Sequence, residues 1–131
     1  MEKRFSIDIL GTDWTVELCN DGEDVVLDGS GGSNGSDGYA DWTGNLIRIA
    51  DRRKESNLEN PEQYLLKVLR HEIVHAYMKE SGLLGVMWTG ADQEELLVDW
   101  IAVQFHKIVA TIILAERNMM QLLRQKDGEQ A

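Results

Sequence analysis

The chain has 131 residues, 43% of them hydrophobic and 27% charged, and a formal net charge of −10, which suits one soluble globular domain with its own core rather than two. That charge argues against a nucleic-acid surface, because a phosphate backbone would be repelled, and the Arg52–Arg53–Lys54 cluster is too small to reverse it. The longest apolar stretch of the C-terminal part, around Ile108–Ala115, is far short of a membrane span, the opening MEKRFSIDIL has no apolar signal region, and Cys19 is the only cysteine, so no intrachain disulfide is possible and a cytoplasmic location is expected.

The first half reads as strands and turns. Phe5, Ile7 and Ile9 alternate with polar neighbours, as do Trp14, Val16 and Leu18. Gly11-Thr12 between them predicts a tight hairpin turn with glycine at its first central position. Val25–Leu27 reads as a third short strand. The glycine-rich stretch Gly29–Gly38 reads as a flexible loop, close enough in sequence to the next strand to serve as a flap over a cleft. It lacks the Gly-Lys-Ser/Thr and the following helix of a phosphate-binding loop. Tyr39–Ala50 reads as a hairpin or bent strand. Residues 1–50 hold ten acidic and three basic side chains; a solvated acidic face that aids solubility is the favoured reading, and if the face binds a partner, a basic or neutral polypeptide fits better than a nucleic acid.

The period then becomes helical. Asn60 as cap, Pro61 at the first helical position and Gln63 in a capping-box position predict a helix whose apolar stripe runs from Leu65 to Tyr77 and stops at Gly82. A second helix is predicted from near Asp92 to beyond Gln121. Its length exceeds what a small sheet covers, so the end with Met119, Met120, Leu122 and Leu123 is a candidate to fold back or to pack on another subunit as a homo-oligomer, although a Met-rich stripe is more often core and that reading is favoured. Lys126–Ala131 reads as a frayed tail.

Inside the first helix lies HEIVH, His71–His75. Histidines four apart on a helix differ by only about 40° around its axis, so both can reach one metal ion. Glu72 can then reach a water on that ion, which is the arrangement for metal-assisted hydrolysis. A third ligand must come from elsewhere. The second helix opens QEELLVDW, where Glu95 and Asp99 share a face. Glu94 is the alternative to Glu95, and Asp92 with Glu95 also makes a capping-box pattern. His106 lies about 16 Å along the axis from Glu95, too far to share its ion.

The succession GYADWTGNLIRI, LRHEIVHAYMKESGL, EELLVDWIAVQF resembles the small zincin-like metallopeptidases of phages and mobile elements, related to the ImmA/IrrE type and of gluzincin pattern. The resemblance covers residues 38–105. It implies an α+β, minimal zincin-like domain: a small, mostly antiparallel N-terminal sheet, an active-site helix and a long C-terminal helix. It also implies Zn²⁺ held by His71, His75 and Glu95, with Asp99 hydrogen-bonding a ligand histidine and Glu72 as general base. Manganese or iron would suit the same ligand set. The implied activity is zinc-dependent endopeptidase cleavage of a protein or peptide substrate, a regulator or repressor by analogy. The substrate is expected to lie extended beside Asn45–Ile49. Tyr39, Tyr77 and His106 are the candidates for stabilising the oxyanion. The rival reading is an inactive protein of the same fold that serves as an interaction module.

Overall fold

The computed structural model describes residues 3–29, 35–83 and 93–130. The chain is α+β, a four-stranded mixed sheet with two helices packed on one face. Strands β1 (Arg4–Ile9) and β2 (Thr12–Cys19) form an antiparallel hairpin. The turn between them is Leu10-Gly11, not Gly11-Thr12. Both residues have positive φ, 52° and 89°, so glycine takes the second central position of a two-residue turn whose twist matches that of the strands. The predicted strand at Val25–Leu27 is instead a single turn of helix, α1 (Val25–Asp28). Asp24 caps it by accepting from the Val26 and Leu27 amides, and a three-residue apolar run cannot resist such a cap.

Strands β3 (Gly38–Asp41) and β4 (Leu46–Ala50) form the second hairpin, as expected from Tyr39–Ala50. β4 then pairs with β2 in parallel, giving the order β1-β2-β4-β3. The sheet is therefore mixed, with one parallel pairing among three. This order also corrects the expected docking strand. Both edges of β4 are occupied, so nothing can add beside Asn45–Ile49, and among the described residues the free edge on that side belongs to β3.

Alternation decides which side chains meet the helices. Ile7, Ile9, Trp14, Val16, Leu18, Ile47 and Ile49 are buried on one face. Against them lies α2 (Pro61–Glu80) with Leu65, Leu66, Leu69, Ile73 and Ala76. Its start follows the expected chemistry: Asn60 Oδ1 accepts from the Gln63 amide at 3.2 Å, and Pro61 takes the first helical position. Gly82, at φ 78°, ends it. Glu80 then ties its last turn to the sheet by accepting from Trp14 Nε1 at 3.0 Å and Thr12 Oγ1 at 3.1 Å.

The second long helix, α3 (Gln93–Gln130), is continuous for 38 residues. It neither folds back nor frays within that range. Met119, Leu122 and Leu123 are buried in the core of the same chain, and the helix packs on β1. Lys126, read from sequence as the start of a tail, is buried and donates to Asn20 Oδ1 and Asp51 Oδ2. Asp127 receives Arg53. Further upstream the sheet no longer covers α3, and Ile101, Val103, Phe105 and Ile113 stay exposed. Among the described residues no helix is long and apolar enough to cross a membrane.

Candidate metal centre

Pro61, Tyr64, His71 and His75 lie along one outer stripe of α2, and Val68, at the matching spacing between them, is buried at the margin of the core. Both histidines are exposed, and their Nε2 atoms stand 3.1 Å apart. Two nitrogens on one tetrahedral zinc, each about 2.0–2.1 Å from it, would be about 3.3 Å apart. The rings cross at 71° with centroids 4.8 Å apart. Ligand atoms of His71, Glu72 and His75 lie within 4.8 Å of one another.

Glu72, beside His71 on the helix, is 6% exposed where both histidines are exposed. Burial pushes its carboxyl pKa above the usual range, and the two neighbouring histidines oppose the shift without cancelling it. A carboxyl poised upward in this way is suited to taking a proton and giving it back. It lines a cleft with His71, Gly38, Asp37, Tyr64 and Lys67. Gly38 is what lets β3 approach here. A Cβ at that position would lie 2.8 Å from Val68 Cγ1 and 3.1 Å from Ile49 Cδ1.

The other predicted residues divide into two groups. The side chains of Glu94, Glu95 and Asp99 lie outside the described residues, as does residue 92, where the helix was expected to start. The described contacts run α3 antiparallel to α2: Trp100 Nε1 donates to Ser81 Oγ at 2.6 Å, Tyr77 meets Lys107 and Thr111, and Arg70 pairs with Glu116 at 2.9 Å. The second group is the oxyanion candidates. Tyr39 is on the sheet face opposite α2, where its hydroxyl donates to Asp24 Oδ2 at 2.7 Å and accepts from Arg48 at 2.9 Å. Tyr77 is buried and held by the Lys107 carbonyl and Thr111. Neither faces the histidines. His106 is exposed on α3 and outside the His71–Glu72–His75 cluster.

Tyr64 and Lys67 were missed from sequence, although both sit on the histidine side of α2, with Lys67 Nζ 5.8 Å from the Tyr64 ring centre. Their spacing of seven and four residues before His71 was the available signal. Cys19 is excluded as a nucleophile, since burial, then Glu17 and Asp24, push its thiol up to about 11. The part of the glycine-rich stretch at 30–34 lies outside the described residues, whereas Asp37 and Gly38 at its end do line the cleft.

No family model, no curated protein and no solved structure matches the chain.

Proposed function

We propose that the chain is a zincin-like metallopeptidase that hydrolyses a peptide bond in a protein substrate, a cytoplasmic regulator by the resemblance noted above. The observation that carries this reading is the convergence of the His71 and His75 Nε2 atoms to 3.1 Å, with the buried Glu72 between them on the chain. His71 and His75 would hold the ion, and a carboxylate from the opening turns of α3, Glu95 or else Glu94, would complete the set, with Asp99 orienting a histidine. When bound, zinc supplies an activated water near neutral pH and polarises the scissile carbonyl. Glu72 would serve as the general base, taking a proton from the attacking water and returning it to the leaving amine. The substrate backbone lies along the open edge of β3 in place of the occupied β4.

Elemental analysis of protein purified without chelator tests the site. The expected result is about one zinc per chain, lost in His75→Ala and in one of Glu95→Ala or Glu94→Ala. Glu72→Gln is expected to keep the metal and lose peptide cleavage. Unchanged cleavage in that variant would remove Glu72 as base. A second reading, an inactive interaction module, is favoured by one observation: Tyr39 and Tyr77 are both engaged elsewhere. Metal binding without cleavage of any peptide by wild type would support it.

A further inference from the structure

The cleft at His71 and Glu72 does not end there. Asp37, Tyr64 and Val68 also line a second, larger hollow of about 340 Å³ that continues along α2 toward its N-terminus. Its apolar lining consists of Ala50, Leu58, Pro61, Leu65 and Val68. Leu58 and the Tyr64 ring are 53% and 43% exposed, so the hollow presents apolar surface to solvent.

The cations on its rim are already engaged. Arg52 bonds Asp37 and the Leu27 carbonyl, and Arg53 bonds Asp51 and Asp127. Glu55 on the same rim adds a negative charge. An acidic occupant is therefore disfavoured, and an apolar one gains from leaving water. The edge of β3 leads to its mouth, since Gly38 lines the histidine cleft and Asp37, just before it, lines both hollows. The Ala50 amide donates to the Asp37 carbonyl at 2.9 Å, so by antiparallel alternation Gly38 and Ala40 turn their own N–H and C=O groups to the open side. Leu65 and Val68 precede His71 by six and three residues, which sets the hollow about 5–10 Å from the histidines along the axis. An extended chain covers that distance in about two or three residues.

We infer that this hollow is a specificity subsite. It takes one large aliphatic or aromatic side chain of a polypeptide paired with β3, two or three residues from the bond cleaved at His71, Glu72 and His75. The inference rests on the hydrolytic reading above and names the substrate feature that reading leaves open.

A positional-scanning peptide library with the zinc-loaded full chain tests it. Leucine, isoleucine, methionine or phenylalanine at one position in that range is expected to raise kcat/KM about 10- to 100-fold over alanine or aspartate. Leu58→Glu is expected to invert the ratio of leucine to lysine preferred at that position alone. Cleavage without a preference there, or with the same preference in Leu58→Glu, overturns the subsite and leaves hydrolysis standing. A binding measurement separates the two readings if no peptide is cut. Amide shifts of Leu65 and Val68 are followed on adding a blocked hexa-alanine peptide with and without one leucine. Shifts specific to the leucine peptide support the subsite; their absence overturns it.

Discussion

Gly38 stands where any side chain would collide with the helix that carries the histidines. The atoms a Cβ would meet belong to the buried side chains of Val68 and Ile49 and to the Arg48 carbonyl. Gly38→Ala is therefore expected to cost about 1–3 kcal/mol in urea unfolding, and to push α2 off the strand beside the cleft. The histidine pair was legible in the sequence because a spacing of four is a purely local property of a helix. Tyr39 was not, because the face a strand residue takes depends on its register with β4, which places Tyr39 opposite Arg48 and away from α2. Tyr64 escaped for a different reason: an aromatic at helical spacing reads as core, and here the outer stripe of α2 carries it at 43% exposure.

Helix and turn signals explain which elements were readable. Asn60 and Pro61 act within three residues of one another, so the start of α2 followed from sequence. Asn60→Ala should cost about 1 kcal/mol by thermal or chemical denaturation, since the Gln63 amide loses its acceptor. The first hairpin turn was misplaced by one residue because Leu10 adopts the left-handed conformation, which a leucine rarely does. Leu10→Asn would create the Asn-Gly pair this turn prefers, and an increase of about 0.5–1 kcal/mol in stability is expected from denaturant titration. The helical period reaches beyond Gln121, but what the far end of α3 packs against had no local cue. What keeps its last turns in place is the contact with β1 and the partners of Lys126, all distant in sequence.

At the scale of the whole molecule, Asp51 joins the two ends of the fold. It sits just after β4 and receives both Arg53 and Lys126. Burial by itself would raise its pKa, but the hydrogen bonds from Arg53 and Lys126 outweigh it and hold the group at about 2. The folded-state value thus lies below the model-peptide value of 3.8. Its contribution to stability, about 2 kcal/mol, is complete above pH 4 and is lost as pH falls toward 2. Asp51→Asn is expected to cost about 3 kcal/mol at pH 7, because Lys126 is left buried beside a neutral group. Chemical denaturation at pH 7 and pH 3 checks both statements: the gap between wild type and variant should narrow at the lower pH.

The distance between Asp51 and Lys126 along the chain also has a cost in time. The two are 75 residues apart, so a ribosome adding about 5–20 residues per second delivers the lysine about 4–15 s after the aspartate. Throughout that interval all four strands have been synthesised, while α3, which will cover the face of β1, is still incomplete. A nascent chain halted between the two would carry sticky apolar strands, and its safe passage depends on how quickly α3 arrives.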